Sequence, residues 1–265
     1  MKNPMNYLFA KTIVSVIRLH GVIAQGSRLG GGAINDAALG PVIERAFRGK
    51  PKAVALSINS PGGSPVQSAL VAARIRRLAD EHRIPVHAFC EDVAASGGYW
   101  LASCADTIHA DPSSIVGSIG VISAGFGFQE LIARYGIERR VHTAGDSKSM
   151  LDSFAPEKPE DVVRLQKLFD VIHGNFIAQV QKSRGAKLAD GLFNGEIWAG
   201  QEAIDKGLID GFGHLVPITK SLYGEKVKFV VHGQKRSLFQ RLGAPGASEV
   251  IGAVEDRLLW QRYGL

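Results

Sequence analysis

The fold is decided by residues 85–100, which read PVHAFCEDVAASGGYW. The apolar run at 85–90 is typical of a short buried strand, and a helical pattern starts near Tyr99. Ser96 lies between them, with two alanines before it and two glycines after it. A strand, a tight turn of small residues and a helix start expose a nucleophilic hydroxyl, and the first turn of the helix offers unpaired N–H groups beside it. The stretch predicts a nucleophile at Ser96, although a closely packed structural turn would use the same residues.

The segment upstream has the pattern of a strand followed by a helix. Residues 53–58 are an apolar run that ends in the loop 59–63, NSPGG. Ser64 is a good N-cap for the next helix, and Gln67 is predicted to complete a capping box with it. Parallel strands joined in this way bring the glycine loop and Ser96 to the same edge of a sheet. Backbone N–H groups of the loop could then stabilise an oxyanion next to the hydroxyl.

The remaining chain alternates between strands and helices, which predicts an α/β protein. Residues 112–129 carry no charge but contain four glycines and four serines, so they are expected to form buried strands and turns that line a site. Residues 1–235 are predicted to form one domain, and residues 236–265 a linker and a C-terminal amphipathic helix suited to an oligomerisation arm. The other predicted elements are a strand at 12–19, a helix from Leu39, strands near 107–108, 115–116 and 140–143, a long helix from Pro159 and a strand at 226–231.

Composition and charge exclude several classes of protein. The 265-residue chain is 45% hydrophobic and carries a net charge of +6. Its basic residues are scattered, without the interleaved aromatic side chains of a nucleic-acid-binding stripe, so no nucleic acid partner is expected. Two cysteines, Cys90 and Cys104, fit neither a disulfide framework nor a zinc site and favour a reducing compartment. No metal or organic cofactor is expected, because no ligand spacing, phosphate loop or dinucleotide fingerprint occurs.

Several motifs, in order along the chain, resemble the signal peptide peptidase A (SppA) family of serine peptidases. They are INSPGG at 58–63, AASGGY at 94–99, GSIGV at 117–121, GEIW at 195–198 and GLID at 207–210. The resemblance runs from Ile13 to Gly213, most of the chain. It implies a ClpP/crotonase-like fold, a spiral of strand–strand–helix units, and a Ser–Lys dyad that hydrolyses peptide bonds.

The resemblance also implies the site residues, by position in this sequence. Ser96 would be the nucleophile and Lys148 the general base. The oxyanion-hole glycines and the hydroxyl that orients the lysine would be Gly62, Gly63, Gly97 and Ser118. Single-copy members of the family form closed rings, so the expected partners are other copies of the chain and a peptide or protein substrate.

The sequence shows no pattern for two features that are found in other members of the family. Many members carry an N-terminal membrane helix, and the longer ones contain two tandem copies of the domain. The apolar stretch at 12–17 is too short to span a bilayer. The expected location is therefore the bacterial cytoplasm, with association at the periphery of the inner membrane left open.

Lys148 can act as a base only when its amine is neutral. A free lysine has a pKa of about 10.4, so only roughly one in two thousand is neutral at pH 7. Burial can lower that pKa by about 3 units. Residues 145–149, GDSKS, are polar and predict an exposed loop. A neighbouring subunit or an apolar cleft wall would therefore have to cover the lysine.

Other chemistries remain open. A Ser-His-Asp triad would take its base from His109 or His142. A crotonase-type acyl-CoA enzyme would use the same paired N–H groups without a serine nucleophile. A non-catalytic assembly protein would keep only the fold, and a phage-type maturation protease would share the peptidase chemistry.

Overall fold

The computed structural model describes residues 12–25, 33–145, 147–233, 257 and 259–265. It divides into two compact units, the first comprising Met1–Ile119 with Ile177–Leu265 and the second Gly120–Phe176. Sequence patterns did not indicate this division within residues 1–235. Most of the C-terminal segment at 236–265 lies outside the described residues, so the linker and terminal helix stay a prediction.

The first unit is built on one mostly parallel sheet with the order β6-β5-β3-β2-β1-β8. β4 also pairs with β3 and with β7, and only the pairing of β5 with β6 is antiparallel. This arrangement confirms the predicted α/β class. The strands are β1 (Ile13–His20), β2 (Ala53–Ser60), β3 (Val86–Ala95), β4 (Thr107–Ala110), β5 (Ile115–Gly117), β6 (Ile197–Trp198), β7 (Gly211–Phe212) and β8 (Lys228–His232).

Seven α-helices connect these strands in the described part of the chain. No helix in the described part of the chain is both long enough and apolar enough to cross a membrane. The helix α4 belongs to the second unit, and α5 begins there and ends in the first. The helices are α1 (Asp36–Arg48), α2 (Pro65–His82), α3 (Gly97–Ala102), α4 (Gln129–Arg134), α5 (Pro159–Arg184), α6 (Gly200–Asp205) and α7 (Leu215–Tyr223).

Helices cover both faces of the sheet. Ser15 Oγ donates a hydrogen bond to the carbonyl of Ala46 in α1 (2.9 Å). The neighbouring Val14 and Val16 belong instead to a buried cluster against which Leu215 of α7 packs. Because successive side chains of a strand point to opposite faces, α1 and α7 lie on opposite sides of the sheet. Each fully buried valine or leucine contributes about 1.5–3 kcal/mol to folding, so this double cover holds the parallel strands in the interior.

β3 changes its neighbour halfway along its length. Residues 87–90 pair with β4, whereas residues 93–95 pair with β5. The register between β2 and β3 shifts at the same level, around Asn59. The Asn59 side chain bridges the irregularity, since its amide donates to Asp92 (2.6 Å) and its carbonyl oxygen accepts from the backbone N–H of Val93 (3.2 Å). The end of β3 is thereby turned toward β5.

The start of α2 confirms one half of the predicted capping box. The backbone N–H of Gln67 donates to Ser64 Oγ (3.4 Å), as expected for an N-cap. The Gln67 side chain does not return to Ser64, because its Oε1 accepts from the backbone N–H of Asp36 (3.0 Å). Gln67 therefore ties the beginning of α2 to the beginning of α1.

The second unit differs from the sequence prediction in two places. The predicted strand at 140–143 is wrong, because residues 141–143 are irregular and exposed. This part of the unit is held by side chains, with Arg139 donating to Asp152 (2.7 Å) and lying over the ring of Phe154 (5.0 Å). The predicted burial of 112–129 holds for β5 but fails at 122–127, where Phe126 is 80% exposed.

A buried ion pair joins the end of α5 to the strands of the first unit. Arg184, only 4% exposed, donates to both carboxylate oxygens of Asp210 (2.8 and 3.0 Å) and to the carbonyl of Gly207 (2.9 Å). Asp210 also accepts from Lys187 (2.6 Å) and from the backbone N–H of Ile108 (2.8 Å). Burial alone would raise the pKa of Asp210, but the bonds from Arg184 and Lys187 outweigh it and lower that pKa to about 2.

We expect Asp210→Asn to lower the free energy of unfolding at pH 7 by about 2–4 kcal/mol, because it leaves Arg184 buried without its counter-charge. The folded-state pKa lies below the unfolded value of about 3.9, so the stabilisation is present above about pH 4 and is lost as the pH falls toward 2. Denaturant unfolding across this range should show the difference from wild type shrinking. Asp80→Asn, which breaks an exposed pair with Arg76, is the control and should cost less than about 1 kcal/mol. Equal stability of Asp210→Asn and wild type at pH 7 would contradict the argument.

Candidate active site

Ser96 forms a strained turn between β3 and α3. Its φ of +51° is left-handed, a conformation that costs a residue with a side chain about 1–3 kcal/mol. Its backbone N–H donates to the carbonyl of Gly117 (2.8 Å), and its own carbonyl accepts from Trp100 in α3 (3.0 Å). All six residues of α3 are buried, so the helix cannot shift to relieve the strain. The turn leaves the Ser96 side chain half-buried at the carboxyl edge of the sheet.

The two glycines after Ser96 allow α3 to pack directly against its surroundings. A Cβ atom on Gly97 would lie 2.5 Å from Ser68 Oγ, and one on Gly98 would lie 2.4 Å from the carbonyl oxygen of Ser60. Either distance is far inside van der Waals contact. The small residues therefore bring the first turn of α3 against both the end of β2 and the start of α2.

The glycine loop after β2 lies against the same turn. A Cβ atom on Gly62 (φ +100°) would lie 2.8 Å from the backbone nitrogen of Gly97. The N–H of Gly62 donates to Ser60 Oγ (3.2 Å), and its carbonyl accepts from Ile23 (2.8 Å). Within the described ranges, the N–H groups of Gly63 and Gly97 have no hydrogen-bond partner. Two backbone donors therefore remain free beside Ser96.

Ser118 lies next to Ser96 at the ends of two neighbouring strands. Ala95 pairs with Gly117, so Ser96 and Ser118 are the residues that follow this pair. Ser118 is 8% exposed, and its N–H donates to the carbonyl of Glu196 (2.6 Å). A Cβ atom on Gly117 would lie 2.6 Å from the ring of Trp198, so β6 packs tightly behind this corner.

Lys148 belongs to the second unit. It lies in a turn in which its N–H donates to the carbonyl of Gly145 (3.1 Å), and its side chain is exposed. The exposed loop predicted from the sequence is therefore confirmed. Ser96, Gly62, Gly63, Gly97 and Ser118 all belong to the first unit, where the structure brings them together.

His109 cannot serve as the base for Ser96. It lies in β4 opposite Phe89 and stacks on that ring at 5.6 Å. Ser96 follows Phe89 by seven positions along β3 and its turn, about 23 Å at the usual rise of a strand. Burial also lowers the pKa of His109. His142 is exposed in the second unit.

A second serine lies beside a histidine, but it is not arranged as a nucleophile. Ser57 Oγ donates to Glu91 (2.5 Å) and lies 2.7 Å from His20 Nε2. Its hydroxyl proton thus points to a carboxylate, and Ser57 is only 5% exposed. Hydrogen bonds from the neighbouring His20 and from Ser57 lower the pKa of Glu91 despite its partial burial. This cluster joins β1, β2 and β3 across the sheet.

The residues that could bind a metal are dispersed. Within the described ranges, no group of three histidine, cysteine, aspartate or glutamate side chains has the geometry to hold a metal ion. Cys90 and Cys104 are both buried, and burial raises the pKa of each thiol to about 12. Neither thiol is available as a thiolate nucleophile near neutral pH.

Three residues that shape this site were not assigned a role from the sequence. Ser60 holds the glycine loop, Ser68 lies against Gly97, and Trp198 lies behind Gly117. Ser60 and Trp198 fall inside quoted motifs, so their positions were visible but their contacts were not. Ser68 gave no signal, because it reads as an ordinary residue of α2.

The pattern of peptidase family S49 matches residues 79–226, more than half of the chain. A Brucella melitensis protein named Na(+)/H(+) antiporter NhaA is 45% identical over 99% of this chain, which corresponds to 38% of that protein. An Enterococcus faecium protein named putative signal peptide peptidase SppA is 31% identical over 66% of this chain and 51% of its own length. The chain therefore spans about half or less of these relatives, and the antiporter name describes a much longer protein.

A solved structure of a 1510-N membrane-bound stomatin-specific protease, a lysine-to-alanine mutant in complex with a substrate peptide, covers 97% of this chain at 15% identity with a TM-score of 0.48. The family match, by contrast, covers the Ser96 turn and the three motifs that follow it along the chain. It confirms the predicted resemblance to the SppA family of peptidases. The chain belongs to peptidase family S49.

Proposed function

We propose that this chain is a serine endopeptidase that hydrolyses peptide bonds with a Ser96–Lys148 dyad. The observation that carries the proposal is the strained Ser96 turn, which presents a hydroxyl beside the two free N–H groups of Gly63 and Gly97. A nucleophile next to preorganised donors is the arrangement that acyl transfer requires. Backbone strain of this kind is concentrated at active sites and ligand clamps, where it preorganises the functional group.

The proposed reaction proceeds in two halves. Ser96 Oγ attacks the peptide carbonyl while the neutral amine of Lys148 takes the hydroxyl proton. The carbonyl oxygen becomes an oxyanion that accepts hydrogen bonds from Gly63 and Gly97. The Lys148 ammonium then gives its proton to the departing amine as the C–N bond breaks. Water attacks the acyl–serine ester in the second half, with Lys148 again as base, and releases the carboxylic acid.

The remaining predicted site residues, Gly62 and Ser118, position the oxyanion donor and the lysine amine. The N–H of Gly62 is bound by Ser60 Oγ, so Gly62 serves by holding the loop that presents Gly63. The Ser118 hydroxyl lies beside Ser96, where it can accept a hydrogen bond from the Lys148 amine and orient its lone pair toward the Ser96 proton. Both are positioning residues in this scheme.

The exposure of Lys148 supports assembly of the site between subunits. A lysine in water is charged at neutral pH, so a base at this position needs a cover. The second unit also exposes an unusual number of apolar side chains, which marks a protein interface. Those between 49% and 80% exposed are Ile122, Phe126, Leu131, Tyr135, Ile137, Val163, Leu168 and Val171. A closed homo-oligomeric ring would bury this surface and Lys148 together.

The proposed substrates are extended or unfolded peptides. A folded protein would not present its backbone to a nucleophile at the bottom of a turn flanked by packed glycines. Remnants of signal peptides are one such class, as the name of the Enterococcus relative suggests. A phage-type maturation protease would use the same chemistry on a different protein.

We expect Ser96→Ala to lower turnover of a fluorogenic peptide by at least about 10³-fold, because it removes the covalent nucleophile. Wild type should also be labelled at Ser96 by a fluorophosphonate, and a crotonase-type acyl-CoA enzyme should not. Ser113→Ala, at an exposed serine of the same unit, is the matched control and should keep wild-type turnover. Retained turnover in a folded Ser96→Ala protein would refute the assignment.

We expect Lys148→Arg to be as inactive as Lys148→Ala, because the guanidinium group stays protonated and cannot accept the serine proton. The measurement is turnover of the same peptide at neutral pH. Lys158→Arg, at an exposed lysine of the second unit, should remain active. Turnover close to wild type in Lys148→Arg would point to His142 instead.

The third test asks whether the dyad forms between subunits. Ser96→Ala and Lys148→Ala proteins should each be inactive alone. Co-assembled from an equal mixture, they should regain about a quarter of wild-type activity, because half of the serines and half of the lysines are intact and adjacent subunits combine at random. A dyad within one chain predicts no recovery. Zero activity after demonstrated subunit exchange would exclude the intersubunit site while leaving the dyad itself intact.

A further inference from the structure

The edge of the sheet opposite Ser96 concentrates positive charge. Backbone bonds from Lys52 to Ile13 (2.8 Å) and from Lys228 to Thr12 (2.8 Å) align the first residues of β1, β2 and β8. A bond from Val54 to Pro85 (2.9 Å) aligns β3 with them. We call the cations that surround these strand starts the basic edge: Arg48, Lys50, Lys52, Arg83, Lys226 and Lys228, all exposed.

The basic edge also surrounds a cavity of about 720 Å³. Lys50, Lys52, His82 and Arg83 contribute to its wall, and Tyr223 at the end of α7 closes one side. The cations are therefore gathered around one concave surface at this end of the first unit. Cations that are gathered in this way raise the local electrostatic potential more than the same cations spread over the surface would.

None of the six cations has an ion-pair partner among the described residues, whereas other cations nearby do. Arg76 is bound to Asp80 and Asp106. Glu81, which also lines the cavity, is held by Arg77 (2.8 Å), and Glu225 is held by Lys220 (3.1 Å). The acidic groups around the basic edge are thus already paired. Residues 1–11 contain Lys2 and Lys11 and no acidic residue.

Helix dipoles account for only part of this charge. The C-terminal ends of α1, α2 and α7 lie at this edge, and each carries a partial charge of roughly −0.5. Three such ends offset about 1.5 of the six positive charges. Lys52, Lys226 and Lys228 also lie outside the last turn of any helix, where the dipole effect fades. A surplus of positive charge remains that the fold itself does not use.

We propose that the basic edge is a docking surface for an anionic lipid bilayer. Lysines outnumber arginines on it four to two, and lysine is a point charge suited to headgroups rather than a bidentate reader of bases. Exposed apolar side chains lie beside it, with Leu222 54% and Ile13 37% exposed. Nucleic-acid-binding surfaces interleave several aromatic side chains instead, and Tyr223 is the one aromatic residue lining the cavity. This partner is independent of the peptidase reaction proposed above.

Docking through this edge would point Ser96 away from the lipid. β3 runs from the basic edge to the Ser96 turn over ten residues, about 33 Å at the usual rise of a strand. The active site would face the water at that height. Segments that extend from the membrane, rather than segments within it, would then reach the nucleophile.

The test is co-sedimentation of the full chain with vesicles of phosphatidylcholine alone or mixed with phosphatidylglycerol, at low and high salt. Wild type should bind only the anionic vesicles, and high salt should release it, because charges beyond a Debye length are screened. Each basic residue near an anionic surface contributes about fivefold to partitioning. The variant Lys50→Gln/Lys52→Gln/Arg83→Gln should therefore bind roughly 100-fold more weakly.

The matched control removes the same charge elsewhere, as Arg18→Gln/Lys182→Gln/Lys206→Gln, and should bind like wild type. Lys50 and Arg83 have positive φ values, so Lys226→Gln/Lys228→Gln is a second test variant whose backbone is ordinary. Thermal unfolding of each variant checks that it is folded. Equal weakening in test and control variants would overturn the proposal, and so would equal binding to neutral vesicles. Binding to duplex DNA without binding to anionic vesicles would assign the surface to nucleic acid instead.

Discussion

The structure depends on holding the backbone of Ser96 in a left-handed conformation. A strain of about 1–3 kcal/mol persists only where neighbouring contacts fix the backbone on both sides. Here the Gly117 carbonyl accepts from the residue's own N–H, and Trp100 of the buried helix α3 donates to its carbonyl. These two bonds require β5 to follow β3 in register and α3 to be fully packed. Much of the first unit can be understood as the support for this turn.

The change of neighbour along β3 makes that support possible. The first half of the strand is bound by β2 and β4 within the core, and its second half leaves β4 and takes β5. The same strand thereby contributes to a packed core and to an open edge. Asn59 stabilises the transition, since its side chain satisfies Asp92 and Val93 where the register shifts. If β3 paired with β4 along its whole length, β5 could not lie beside the end of β3. Ser118, which follows β5, would then not lie next to Ser96.

The sequence predicted what is local and missed what depends on distant contacts. The strand before Ser96, the glycine loop and the Ser64 cap each follow from a few adjacent residues, and the structure confirms them. The Gln67 side chain was misassigned because Asp36, thirty-one positions earlier, offers a better donor than Ser64. The apolar residues at 140–143 suggested a strand, but a strand requires a partner, and Arg139 instead holds this segment through Asp152 and Phe154. The division into two units has no local signal at all.

The net charge of the chain conceals a separation of charge along the strands. Partway along β3, Glu91 and Asp92 line a cavity of about 480 Å³ together with Asp111, which follows β4. The basic edge lies at the start of β3, five to six residues from these carboxylates, or about 17–20 Å. Because the Debye length is about 8 Å at physiological ionic strength, the acidic cavity and the basic edge do not neutralise each other's fields. Each acts on its own surroundings, so a uniformly basic surface is the wrong description of this protein.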